Sequence, residues 1–417
     1  MLFKRFFNQS HSLNSEQFIN LFAGGGITKS GEVITAESSL DIGAIYACVN
    51  IKANAIAKLP LQLFIKSKNG RERNRSHAVS HLLEKRPNKY MTPFVFKHTI
   101  TVHRNLWGNA YIKINFNGPT PSSLDILNPE RVQVYKDTEG QLWYVYTSNK
   151  KQEVYHPDEI IHLPYLSTDG INGKSPISIA RETAGTMKAA QKFVGGLYKN
   201  GVTNKGILKT DTPLDKTAKE KVREEWQLVN AGVDNAGKVA ILSAGFDYQS
   251  ITMPLADAEF IATQKFNLAE IARIFNVPLH MLNELDRSTF SNIEHQKMEF
   301  VMDTIQPELV SWEEECNYKL FTEREQKRYY VKFNLTSALR GDNESRAKYY
   351  KEMIQMGVLS INEVRALEEA DAVELGDKHL VSLNYTFLDN LEEYQRAKVN
   401  SKNSKGGEND EGKVSDD

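Results

Sequence analysis

The sequence predicts an α+β fold: an α/β layer, two helical rods bracketing a small α/β module, then a long kinked helix and a helical C-terminal unit. Three observations predict it. From Leu40 to Lys174, helical apolar stripes alternate with runs of strand-like period two. Two long helix-forming stretches, 175–201 and 253–277, enclose a short mixed segment, 202–252. Further on, Met298, Val301, Ile305, Leu309, Trp312, Cys316 and Leu320 recur three or four residues apart, one stripe of a long helix.

In chain order, residues 1–39 carry three glycines at 24–26 and little periodicity, and read as a loose arm. In the 40–174 domain, IGAIYACVNIKANAIAKLPLQLF (42–64) gives an apolar-faced helix closed by Pro60, then a strand. MTPFVFKHTITVHRNLWGNAYIKI (91–114) gives a second helix, with Thr92 as N-cap and Pro93 at N1, and another strand. SLDILNPERVQVYK and LWYVYTS alternate as strands around turns at Asn128-Pro129 and Glu139-Gly140. The rod 175–201 starts with Ser175 as N-cap and Pro176 at N1, and exits at Asn200-Gly201. About 25 helical residues span roughly 38 Å.

The module 202–252 comprises GILK, the helix DKTAKEKVREEWQLVNAG, and the strands KVAIL and DYQSI. The rod 253–277 returns, and a loop at 278–291 leads into the long helix and the strand YYVKFNL of 292–341. Pro307 lies inside that helix, where its missing N–H and its ring demand a kink. The unit 342–371 reads as two helices split at Gly357, the second opened by a Ser360/Glu363 capping box. The extension 372–417 ends in RAKVNSKNSKGGENDEGKVSDD, which has almost nothing to bury and is expected to be disordered.

Composition narrows the function. The 417 residues suit two or three domains, and no apolar run approaches the ~18 residues of a membrane span. MLFKRFFNQSHSL lacks an apolar h-region, so no signal peptide is expected. Cys48 and Cys316 read as reduced core thiols. Lys plus Arg number 52 against 53 Asp plus Glu, so any nucleic-acid contact must be local or weak.

Three motifs imitate chemistry. NLAEIARIFNVPLHMLNEL (267–285) has the outline of a helix-turn-helix, and a DNA-binding regulator built on it is the alternative reading. Its second helix, however, would present His280, Asn283, Glu284 and Asp286, with Arg287 the one nearby cation. TDGINGKSP (168–176) nearly matches a phosphate-binding loop, but Thr168 replaces the first glycine and Pro176 removes an amide from the nest. His77 and His81 have metal spacing, yet Ala78 stands where a metalloprotease needs Glu. No nucleophile elbow appears, so no enzyme, cofactor or metal is expected.

Five stretches together resemble the portal proteins of tailed bacteriophages, siphovirus-type branch. They are SLDIGAIYACVNIKANAIAKLPLQLF (39–64), RPNKYMTPFVFKHTITVHRNLWGNAYIKI (86–114), DEIIHLPYLSTDGINGKSPI (158–177), FNVPLHMLNELDRSTFSNIEHQ (275–296) and GVLSINEVRALEE (357–369). HAVSHLL (77–83) departs from the pattern, which would have Pro after the His. The resemblance implies a dodecameric ring at one capsid vertex of the virion, assembled in the bacterial cytoplasm, that nucleates head assembly and conducts double-stranded DNA without sequence specificity. Implied partners are the terminase large subunit, a head-completion adaptor, and the major capsid and scaffold proteins.

The resemblance names the parts: wing (40–174), stem helices (175–201 and 253–277), clip (202–252), tunnel loop (278–291) and helical crown (342–371). It implies that Asn283, Arg287, Ser288, Thr289 and Phe290 line the channel, with Arg287, Ser288 and Thr289 touching phosphates. A surface turn capping the long helix through Ser291 or Asn292 is the plainer reading of the same loop, and both stay open. Lys188, Lys192 and Lys199 are candidates for the channel side of the stem, and Lys216, Lys219, Arg223 and Trp226 for partner docking on the clip.

Overall fold

The computed structural model describes residues 26–67, 70–148, 151–200, 206–211, 213–230, 245–250, 257–284, 296–335, 343–368 and 370–380. The chain divides into two units, Met1–Ser337 and Ala338–Asp417.

The first unit opens with a hairpin, β1 (Gly26–Ile27) and β2 (Val33–Ile34), where the sequence predicts loose chain. Gly31 supplies the left-handed residue of its turn, at φ 82°. Helix α1 (Gly43–Ala57) buries Ile45, Cys48, Val49, Lys52, Ala53 and Ile56. Next come β3 (Leu61–Ser67), β4 (Gly70–Arg73) and α2 (Ala78–Glu84). His77 is the N-cap of α2, its ring accepting from the Val79 amide, so it does not share a helical face with His81.

Helix α3 (Pro93–Trp107) has Thr92 as N-cap and Pro93 in its first turn, as expected, and is ended by left-handed Gly108. It packs across α1. Strands β5 (Asn109–Asn117), β6 (Thr120–Leu127), β7 (Val132–Lys136), β8 (Leu142–Ser148), β9 (Lys151–Tyr155) and β10 (Ile160–Pro164) come next. They form two antiparallel sheets, ordered β10-β5-β6 and β7-β8-β9. Tyr111, Leu127, Val132, Tyr144, Tyr155 and Ile160 form one core between them. Two-residue strands β11 (Leu166–Ser167) and β12 (Gly173–Lys174) lead into α4 (Pro176–Asn200).

The small module has β13 (Gly206–Thr210), α5 (Lys216–Asn230) and β14 (Phe246–Ser250), with β13 and β14 antiparallel. The expected strand KVAIL lies outside the described residues. Helix α6 (Asp257–Phe275) returns and packs against α4 and α1, burying Ile271, Ala272 and Phe275.

The long helix is described from residue 296 onward. A π-helical stretch, Phe300–Ile305, precedes α7 (Gln306–Lys319), whose first turn holds the proline. The Gln306 amide bonds Val301 O, five residues back. Placed in the first turn after this wider coil, Pro307 loses its amide at a position built to do without it. After the short α8 (Glu323–Gln326), strand β15 (Tyr329–Phe333) pairs with β3 in a sheet ordered β15-β3-β4. Helix α7 covers the open edge of β15: Val331 N donates to Asn317 Oδ1 at 2.6 Å and Phe333 N to Glu313 Oε1 at 2.8 Å.

The second unit contains α9 (Asn343–Gln355) and α10 (Ile361–Leu367). They are split at left-handed Gly357, and α10 opens with the expected Ser360/Glu363 capping box. Order continues past 371 around Asn362, whose side chain receives the Val373 amide and donates to Val373 O and Asp377. Gly376 lies so close that an added Cβ would meet Asn362 Oδ1 at 2.4 Å.

Candidate functional site

The site begins with how α4 leaves the layer domain. Gly108, at φ 75°, turns the chain from α3 into β5, and its carbonyl accepts from Tyr165 N at 2.7 Å. An added Cβ there would meet the Lys174 carbonyl carbon at 2.4 Å, and one on Gly173 would meet Gly108 O at 2.0 Å. Two backbones are thus in direct contact, which needs glycine on both. Asn109 ties the pair: Gly173 N donates to its Oδ1 at 2.8 Å, and its Nδ2 donates to Gly173 O at 2.8 Å.

These two bonds fix the amide's orientation, so His162 Nε2 must be the donor to Asn109 Oδ1 at 2.9 Å. His162 Nδ1 then accepts from Tyr144 OH at 3.3 Å. Burial lowers the His162 pKa to about 3, and the Lys319 charge acts in the same direction, so the ring is neutral as this pattern needs. Ser175 completes the joint, with its hydroxyl donating to Leu106 O and accepting from Ile177 N.

This joint also disposes of the phosphate loop. Asp169 accepts from the amides of Ile171 and Asn172, at 2.8 Å each, and Asn109 takes that of Gly173, so these amides face the protein's own oxygens. Among the described residues there is no His/Cys/Asp/Glu cluster able to hold a metal. No helix among them is long and apolar enough to cross a membrane. Both cysteines are free and buried.

Beyond the joint, α4 buries Ile177, Ala180, Ala184 and Met187 along one stripe. Gly185 seats the hairpin, since a Cβ there would meet Thr28 Oγ1 at 2.5 Å. Lys29 N donates to Glu182 at 3.1 Å, and Lys192 pairs with both oxygens of Glu32 at 2.7 Å. Lys188 is half-buried one turn away on the same face as exposed Lys192. The side chain of Lys199 lies outside the described residues.

The end of α6 is tied to the long helix. Asn276, left-handed at φ 52°, comes directly after α6; its carbonyl accepts from Thr304 Oγ1 and its Nδ2 donates to that oxygen, both at 2.8 Å. Thr304 lies in the π-helical stretch. A turn later Glu308, 2% exposed, faces Arg104 at 2.8 Å and Lys52 at 3.9 Å. Both cations lie over the Tyr165 ring, at 5.3 and 5.0 Å. One carboxylate therefore joins α1, α3 and α7.

On α5, Lys216, Lys219 and Arg223 are exposed and Trp226 is half-buried, at steps of three and four that make one stripe. Asn283 ends a 3-10 turn, Leu279–Leu282, in left-handed conformation at φ 63°. Arg287, Ser288, Thr289 and Phe290 lie outside the described residues, as do Ser291 and Asn292. The helix-turn-helix alternative fails here. Its would-be reading helix is that one 3-10 turn, and Ile271, Ala272, Phe275 and Val277 of the motif are buried in the core.

The phage portal protein family matches residues 43–369. The probable portal protein of Streptomyces phage phiC31 is 30% identical, across 86% of this chain and 82% of its own. The portal protein of Enterobacteria phage HK97 is also 30% identical, across 86% and 85%. A chain from the neck of a native gene transfer agent particle, computed with C12 symmetry, shares the fold. It has a TM-score of 0.56 and 22% identity, covering 86% of this chain and 95% of that one. The fold is therefore one found in a component of a particle neck. The chain belongs to the phage portal protein family.

Proposed function

We propose that this chain is a structural, non-enzymatic subunit of a portal ring at a capsid vertex. Double-stranded DNA passes through the ring during packaging and ejection. Family membership over residues 43–369 carries the reading. The neck structure with twelve-fold symmetry supports a dodecamer. Layer domain, helix pair, small module and C-terminal helices would be wing, stem, clip and crown.

In this reading Lys188, Lys192 and Lys199 face the channel, and Glu32 moderates Lys192. A channel must not grip its cargo, because phosphate contacts multiplied around a ring would hold the duplex. The α5 stripe of Lys216, Lys219, Arg223 and Trp226 is the surface for the terminase large subunit and later the head-completion adaptor. The loop 278–291, with Asn283, Arg287, Ser288, Thr289 and Phe290, forms the narrowest point. Major capsid and scaffold proteins would meet the ring's outer parts, in an assembly built in the host cytoplasm.

The deciding experiment is end-on imaging of the purified protein by negative stain. Rings with a central hole are expected, and a chain that stays monomeric at every concentration overturns the reading. Within rings that still form, Arg287→Ala with Thr289→Ala should impair packaging or DNA retention. Normal packaging and retention would remove the loop from the channel.

A further inference from the structure

The helix running from residue 296 through α7 carries an exposed row that its fold leaves uncovered. Met298 is 55% exposed, Met302 46%, Val310 41% and Tyr318 64%. Glu299, Asp303 and Glu314 are exposed beside them, with Lys297 as a basic neighbour at one end. A solvated helix face is normally polar, and large apolar side chains recurring along about 30 Å of helix mark a contact surface. The row is apolar and acidic together.

The chain holds a segment of the complementary kind. Residues 1–25 precede the described hairpin and contain Phe3, Phe6, Phe7, Phe18, Ile19, Leu21 and Phe22, with Lys4 and Arg5 beside the first aromatics. Glu16 is the one acidic residue in it. At ~3.4 Å per extended residue, 25 residues reach about 85 Å, against about 30 Å for the length of the row itself. We propose that this N-terminal segment docks on the Met298–Tyr318 row, its aromatics covering the methionines and Val310 and its Lys4-Arg5 pair facing Glu299, Asp303 and Glu314. The contact would fasten the start of the chain to the helix that comes after the 278–291 loop. Its chemistry is the same whether the segment comes from the same copy or an adjacent one.

Single cysteines at positions 302 and 310 (Met302→Cys, Val310→Cys) test this in the full chain and in a form lacking residues 1–25. Both forms retain buried Cys48 and Cys316 and the described hairpin. Labelling by a charged maleimide should be about tenfold or more slower in the full chain than in the shortened one. Lys4→Glu with Arg5→Glu in the full chain should recover most of the faster rate. Similar fast rates in both forms overturn the proposal. Similar slow rates also overturn it, because a second copy then covers the row. Ring formation, imaged on the same samples, is a separate readout, so failure of the portal reading and failure of this one are distinguishable.

Discussion

Gly108, Asn109, Gly173 and His162 show how much of this molecule rests on single atoms. Gly108→Ala should destabilise the chain by about 3 kcal/mol or more, since it combines a positive φ with a backbone collision. Thermal denaturation checks this, and Gly43→Ala, where an added Cβ meets nothing within 4 Å, is the control. The His162 ring gives a pH signature. Its folded pKa of about 3 lies below the ordinary value of 6.5, so the unfolded chain takes up the proton first. Its contribution to stability is present above about 6.5 and is lost as pH falls from there towards about 3. His162→Gln should flatten that part of the stability–pH curve measured by urea unfolding. A slope identical to that of the parent would mean the ring is not held neutral. The Gly108–Asn109–Gly173–His162 contacts were not readable in the sequence, because Asn109 and Gly173 are 64 residues apart and hydrogen-bond partners at that range leave no local pattern. What local chemistry controls was readable: the Thr92 cap, the Ser360/Glu363 box and the Ser175 start all depend on residues within three positions.

The long helix is where reading by pattern reached its limit. Its apolar stripe identified Leu309, Trp312, Cys316 and Leu320 as core, and all four are buried. Met298, in the same stripe, is exposed, because the π-helical turn at Phe300–Ile305 rotates the residues before it relative to those of α7. A fixed 3.6-residue period cannot anticipate that. The same turn brings Glu308 under Lys52 and Arg104. Glu308→Ala would leave buried Lys52 and half-buried Arg104 without their shared carboxylate, and should cost about 3–5 kcal/mol in urea unfolding. A loss below about 1 kcal/mol, typical of surface pairs, would show that water reaches the cluster. On α5, Lys216→Glu, Lys219→Glu and Arg223→Glu together should leave ring assembly intact and abolish motor-dependent packaging. Unchanged packaging would put the motor elsewhere.

For the whole chain, near-neutral charge is the property that matters. Its 52 basic and 53 acidic residues leave little net attraction for a polyanion, and Lys192 is already engaged by Glu32. Purified assemblies should therefore bind linear duplex DNA weakly, with a Kd no tighter than roughly micromolar at about 150 mM salt, and without sequence preference. Tight, operator-like binding by a dimer would restore the regulator reading. The mixed helix-and-strand character of the fold was legible because helical and strand stretches each have their own period and punctuation. The hairpin at 26–34 was not: its two-residue strands give no periodic signal, and it is held by Thr28, Lys29 and Glu32 against a helix more than 150 residues away. The touching main chains at 108 and 173 carry one more implication, for variation. Where a side chain fills a gap, homologues can drift through neighbouring sizes; where peptide planes meet directly, there is no smaller residue to retreat to and no larger one to try. In a saturation library, those two positions should tolerate nothing else, however freely the surrounding core is rewritten.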